Sequence, residues 1–226
     1  YEVYLFEGPG QGGVIRTQGM HFTPEWEKPV SAILDYFDLS DVTIIGVSLG
    51  GYLAPRAAAF DKRISRVVAW SVFPCFFDVL IGDQAPAVQK LFSTLVNIGA
   101  KGFINSFFNK MAKTEPVVDW GLKHGCYAYE AEDAYSYAKA LKLYDIAPVA
   151  ELITQDVLIL GATRDHFINY HLIGHEIDLL TKVKSLTFRL FTDKEGAENH
   201  CNVGNGKLAL DTIDGWLTGL RRRDED

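Results

Sequence analysis

Along the chain, apolar positions recur with a strand-like or a helix-like period, and the switches between the two outline the elements. Val42-Thr43-Ile44-Ile45 is a short β-branched run without polar alternation. That pattern belongs to a strand covered on both faces and predicts a central parallel strand. From Tyr52 onward the residues favour helix, with Leu53, Ala57 and Phe60 able to share one face. Ile64 to Trp70 predicts the next strand. Upstream, Tyr1 to Phe6 reads as a buried strand running into the glycine-rich EGPGQGG. Pro24 to Phe37 reads as an amphipathic helix with Thr23 as N-cap, Pro24 in the first turn and Trp26, Val30, Ile33, Leu34 and Phe37 apolar. Downstream, Asp156 to Leu160 and the run SLTFRLF predict two more strands. They flank a helix around Tyr170 to Val183, and a last helix runs to about Leu220. Strands alternating with helices specify a parallel sheet.

The alternation stops between Cys75 and Pro148. This stretch holds no convincing strand and is dense in Phe, Tyr and Trp. It shows helical spacing in APAVQKLFSTLVNIGAKGFINSFFNKMA and again in AEDAYSYAKALKLYDI. The expectation is a helical cap, 75–148, inserted in an α/β core spanning 1–226. Packing within the cap accounts for any one of Phe103, Phe107, Phe108, Trp120, Tyr127 and Tyr129; taken together they supply walls for a cleft.

Between the strand at 42–45 and the helix from Tyr52 stands Gly46-Val47-Ser48-Leu49-Gly50. A strand-to-helix turn this sharp strains the residue at its apex. Glycines two before and two after remove Cβ atoms that would collide there. The product is a nucleophile elbow, lifting the Ser48 hydroxyl clear of the sheet beside the free N–H groups of a helix start, which can stabilise an oxyanion. Composition alone yields roughly 0.07 such pentapeptides in a chain like this, so the flanking strand and helix carry the assignment against an ordinary glycine turn.

A serine hydroxyl needs a histidine base held by a carboxylate. Catalytic groups of open parallel sheets gather beyond the carboxyl ends of the strands, which sorts the histidines. Of His21, His124, His166, His171, His175 and His200, only His166 and His200 fall in such loops downstream of the serine. His200 lies after the last strand among Gly196, Asn199 and Asn202, and Asp165 lies after the preceding strand. The order Ser48, Asp165, His200 is the one an elbow of this kind requires. Asp193 is the alternative acid, and Asp165 could instead cap the next helix. Glu195 and Glu198 read as solvated loop charges, and Cys201 beside His200 reads as no thiol nucleophile.

Composition narrows the partners. The formal net charge is −7, which argues against nucleic acid, and no apolar run approaches the roughly 18 residues needed to span a bilayer. The terminal RRRDED reads as a balanced, solvated end. Cys75, Cys126 and Cys201 cannot all pair and form no C-x-x-C, so a reducing cytoplasm is the expected setting.

On FEGPGQG, GVSLGGYLAPRAAA, LILGATRDHFI and above all EGAENHCNVGN, the chain resembles the α/β-hydrolase superfamily from Tyr1 to about Leu220. Within it, the resemblance is to the branch of 2,6-dihydroxypseudooxynicotine hydrolase and the fungal heptaketide pigment hydrolases. The resemblance implies a helical cap, a Ser-Asp-His triad on Ser48, Asp165 and His200, and cleavage of esters or of carbon–carbon bonds beside a ketone. Glu7 departs from the aspartate expected there, and Gly13 from a glutamate or serine. The family also has strands and a helix before the segment matching Tyr1. The expectation is therefore that N-terminal strands are missing, leaving the Leu49 N–H as the only oxyanion donor within the chain, the second lying upstream of Tyr1. Pairing of the bare edge with a second copy, as a homodimer, is the alternative.

The combined reading is a serine hydrolase without cofactor or metal, acting on a small molecule with an aromatic or polyketide-like body. Its rivals are a peptidase or thioesterase of the same fold and a binding module without catalysis.

Overall fold

The computed structural model describes residues 1–82 and 84–226; residue 83, inside the predicted cap span, lies outside the described residues. In chain order the elements are α1 (Gly12–Gln18), α2 (Glu27–Tyr36), β1 (Val42–Val47), α3 (Gly50–Phe60), β2 (Ile64–Trp70) and α4 (Phe76–Ile81). Next come α5 (Pro86–Asn97), α6 (Lys101–Ala112), α7 (Pro116–Ala128) and α8 (Ala134–Leu141), and then β3 (Asp156–Ala162), α9 (Leu172–Leu179), β4 (Ser185–Phe191) and α10 (Gly206–Glu225). The chain divides into two compact units, one of Tyr1–Pro24 with Asp83–Tyr144 and one of Glu25–Gly82 with Asp145–Asp226.

The second unit carries the sheet, four parallel strands in the order β1-β2-β3-β4. β3 is buried along its whole length, as an apolar run covered on both faces must be. Val68 and Trp70 of β2, Leu158 and Leu160 of β3 and Phe191 of β4 pack with Ala209, Ile213 and Leu217 of α10 into one core cluster. On α3 nearly every residue from Gly51 to Ala59 is buried, with Leu53 and Ala57 among them, whereas Phe60 is exposed under the Arg56 guanidinium.

Three strand and helix expectations are corrected. β1 is an edge strand, not a central one: among the described residues nothing pairs on its outer side, and Ile45 and Val47 are exposed. Tyr1 to Phe6 is coil with Val3 and Leu5 exposed; apolar composition alone makes no strand where, among the described residues, no ladder partner satisfies the backbone. α2 begins at Glu27 with Trp26 as N-cap instead of Thr23. A start at Pro24 would put Pro29 in the helix interior, where its missing N–H and its ring break the ladder, whereas a start at Glu27 puts it in the first turn. The buried face of α2 is still Val30 and Leu34.

The end of the chain is also more than a solvated tail. Arg223 donates two hydrogen bonds, 2.7 and 2.8 Å, to the buried carboxylate of Asp156 at the start of β3. That pairing holds Asp156 down at about 2.

In the other unit the two predicted helical stretches hold α5 and α6, and α8. Phe92 meets Phe107 and Phe108 edge-on at 4.7 and 6.1 Å, which is core packing of that unit. Asp133 caps α8 by accepting the Ser136 N–H at 2.9 Å, and it accepts from Asn105 at 3.0 Å. Among the described residues no helix is long and apolar enough to cross a membrane.

Candidate active site

Ser48 follows β1 directly, at φ 59, in the left-handed region that L-residues other than Asn and Asp seldom adopt. Its N–H donates to the Trp70 carbonyl at 2.9 Å, so the apex is tied to the end of β2. A Cβ on Gly46 would stand 1.9 Å from the Gly50 carbonyl oxygen and 2.7 Å from Ala54 Cβ, so only glycine lets strand and helix close there. The second glycine of the motif is different from expectation: a Cβ on Gly50 would meet nothing, whereas one on Gly51 would strike the Ser71 carbonyl oxygen at 2.0 Å. The close approach lies one residue later because it is set by the packing of α3 against the end of β2.

The structure brings Ser48, His200 and Asp165 together. Ser48 Oγ lies 2.9 Å from His200 Nε2, and His200 Nδ1 lies 2.7 Å from Asp165 Oδ2. A carboxylate accepts only, so Nδ1 carries the hydrogen, and in the neutral imidazole Nε2 is left to accept from the serine. Asp165 Oδ1 accepts the Phe167 and Ile168 N–H groups, each at 2.9 Å. Asp165 does not cap the next helix, α9, whose N-cap is His171; its Oδ1 instead closes the turn at 166–168 while its Oδ2 holds the histidine. Burial works to raise the Asp165 pKa, but the bonds from His200, Ile168 and Phe167 outweigh it and keep it low. Burial likewise works to lower the imidazole, and the Asp165 bond together with Cys201 overrides it, pushing His200 up to about 9. Asp193 is elsewhere, paired with Arg164 at 3.0 Å.

The loop from Thr192 to Asn205 presents the imidazole on a built frame. Thr192 and Glu195 form a capping box. Glu195 also pairs with Arg189, so it is no free solvated charge. Cys201 and Asn202 both take positive φ, 52 and 54, which turns the segment inward. Asn202 is buried; its Oδ1 accepts from Trp70 Nε1 at 2.8 Å and its Nδ2 donates to the Ala197 carbonyl at 2.6 Å. Sequence reasoning noted Asn202 only as part of a turn-rich loop; the signal available was an amide two residues beyond the histidine. Phe167 packs edge-on to His200 at 5.0 Å, and His166 lies further out at 6.1 Å between ring centres. Leu49 stands at the entrance of α3, where the first N–H groups of a helix have no intrahelical acceptor. Among the described residues no cluster of His, Cys, Asp and Glu is arranged to hold a metal ion.

No protein-family model matches the chain. Curated relatives do: Hydrolase acrC of Aspergillus aculeatus is 30% identical over 172 residues, covering 72% of this chain and 40% of that protein. Hydrolase LUC6 of a Fusarium species is 26% identical over 239 residues, covering 98% and 56%. Hydrolyase poxO of Penicillium oxalicum is 40% identical over 100 residues, covering 39% and 24%. The chain thus spans about half the length, or less, of these relatives. Among solved structures, 2,6-dihydroxy-pseudo-oxynicotine hydrolase superposes with a TM-score of 0.62 at 20% identity, over 94% of this chain and 50% of that one. The enol-lactonase of Burkholderia xenovorans LB400 superposes with a TM-score of 0.51 at 16% identity, over 87% and 74%. The chain has the α/β-hydrolase fold, and in its fungal relatives and its structural neighbour it is similar to the branch that its motifs indicated.

Proposed function

We propose that this chain carries the catalytic centre of a serine hydrolase that works without cofactor, cleaving an ester or a ketone-activated carbon–carbon bond through an acyl-enzyme on Ser48. The observation that carries the reading is the unbroken chain Ser48 Oγ to His200 Nε2 at 2.9 Å and His200 Nδ1 to Asp165 Oδ2 at 2.7 Å. His200 takes the serine proton as Oγ attacks the carbonyl, and the imidazolium that forms is stabilised by Asp165. The Leu49 N–H faces the developing oxyanion. Collapse of the tetrahedral intermediate expels an alkoxide from an ester, or a ketone-stabilised carbanion from a carbon–carbon bond, and the His200 proton goes to that leaving group. Water, deprotonated by the same imidazole, then hydrolyses the acyl-enzyme. The name of the structural neighbour, 2,6-dihydroxy-pseudo-oxynicotine hydrolase, supports a small organic substrate.

A fluorophosphonate probe tests this directly: one covalent adduct, mapped by peptide mass to Ser48 and absent from Ser48→Ala with an unchanged melting temperature, is the expected outcome. A folded chain that takes no adduct at Ser48 overturns the reading.

A further inference from the structure

Ser71, the residue that follows β2, is held in the left-handed region at φ 68 and is almost fully buried. Its backbone is fixed from two sides. The N–H donates to the Leu160 carbonyl of β3 at 2.9 Å, and the carbonyl oxygen occupies the space beside Gly51 where a Cβ would intrude. A position with no task beyond this turn would suit glycine better. What serine adds is a hydroxyl, and Oγ lies 3.4 Å from Asp165 Oδ2 and 3.9 Å from Cys201 Sγ.

Asp165 offers about four acceptor sites. The Phe167 and Ile168 N–H groups take two on Oδ1 and His200 Nδ1–H takes one on Oδ2. The Ser71 hydroxyl addresses the fourth, on the oxygen that holds the histidine, and among the described residues it is the one donor supplied by a neighbouring strand end instead of by the loops that carry Asp165 and His200. We infer that Ser71 is a positioning residue: its hydroxyl fixes the plane of the Asp165 carboxylate and so the aim of His200 at Ser48. The inference rests on the triad reading above. At 3.4 Å the contact is longer than an ordinary O–H···O bond, the kind of gap that catalytic hydrogen bonds close when the reacting complex forms. Because the hydroxyl shares the charge on Oδ2, its loss leaves more of that charge to the imidazole and strengthens the hold on the proton of His200.

The test uses Ser71→Ala and Ser71→Gly beside the wild-type chain and Ser48→Ala, reading the rate of fluorophosphonate inactivation across pH together with the melting temperature. Both Ser71 variants are expected to react about tenfold more slowly, a fraction of the 10²–10⁴ that acid–base catalysis supplies, with the midpoint of the pH profile moved upward. Stability should divide them, since glycine relaxes the left-handed backbone and alanine does not. Wild-type rates and an unmoved midpoint in both variants overturn this inference alone, as does a rate loss in Ser71→Ala that is absent from Ser71→Gly, because the defect would then follow backbone strain. A wild-type chain that takes no label at Ser48 overturns the triad reading and this inference with it.

Discussion

The two ends of the sheet use charged groups and backbone strain in opposite ways. At the carboxyl end, Ser48, Ser71 and Cys201 sit at φ 59, 68 and 52, and in this unit they are the described residues other than Gly, Asp and Asn that take positive φ. Strain of this kind persists only where surrounding packing imposes it, and it gathers at sites that do chemistry. The titratable pair there is pushed apart, His200 up to about 9 and Asp165 down, as the proposed base and its holder require. At the amino end the carboxylates are cancelled by cations. Asp61 is held at about 2, chiefly by Arg63, and Asp156 at about 2, chiefly by Arg223, while Arg66 meets Asp41 at 2.9 Å. A hollow of about 320 Å³ there is lined by Asp41, Lys62, Arg66, Asp156, Lys184 and Asp224, cations and anions in equal number. The amino end uses its charges to tie strand starts to helices, whereas the carboxyl end is where the proposed proton transfers take place.

If that contrast holds, substitutions at the two ends separate activity from stability. The largest effect is expected from Asp165→Asn, which leaves the imidazole in the wrong tautomer and should cut turnover of an activated ester by about 10³–10⁴, against less than about twofold for Asp193→Asn. The reverse ranking would move the acid to Asp193. In the wild type the base must be neutral, so kcat/KM should climb with pH until His200 has lost its proton near 9. In Asp165→Asn the residual activity should climb at lower pH, because the bond that raises the histidine is weakened. Titration of kcat/KM for both proteins checks this.

Next in size, Asp156→Ala should cost about 2 kcal/mol in urea unfolding, the worth of hydrogen bonds to charged groups, with kcat unchanged. The Asp156 pKa is depressed, so its contribution is fully present above the unfolded carboxylate value of about 3.9 and is lost as pH falls through about 2. The gap between wild type and variant should therefore close in acid. A gap that stays constant with pH would deny the ion pair its part.

The smallest effect belongs to neither end. Glu176 of α9 is fully buried, its two carboxyl oxygens have no hydrogen-bond partner among the described residues, and burial raises its pKa well above the ordinary value. A raised acid gives its full stability below the unfolded value of about 4.3 and loses it as pH rises toward the folded one. Glu176→Gln should match the wild type near pH 4 and exceed it near pH 8 in the same unfolding assay. Equal stability at both pH values would mean that the carboxyl is solvated in solution.

Legibility followed locality. β2 and β4 have the bounds that their apolar runs imply, and Ser48, Asp165 and His200 are found by motif and chain order, since both signals are written in consecutive residues or in sequence order. What the sequence hides depends on partners distant along the chain. Whether Val42 to Val47 is central or at an edge, and whether Tyr1 to Phe6 is a strand at all, depends on neighbours that composition does not name. The task of Gly51 depends on a carbonyl at the end of β2, and that of Ser71 on a carboxylate beyond the end of β3. Glu176 looks like one more helix-face charge until burial is known.

The hydrogen bonds from Arg223 to Asp156 also orient the molecule for handling. They bring the end of α10 to the starts of the strands, while Ser48 and His200 stand where the strands finish. A bead, electrode or fusion partner joined beyond Asp226 would therefore grip this unit from the side opposite Ser48. A label placed in the loop around Asn199 would reverse the orientation and bring Ser48 toward the support.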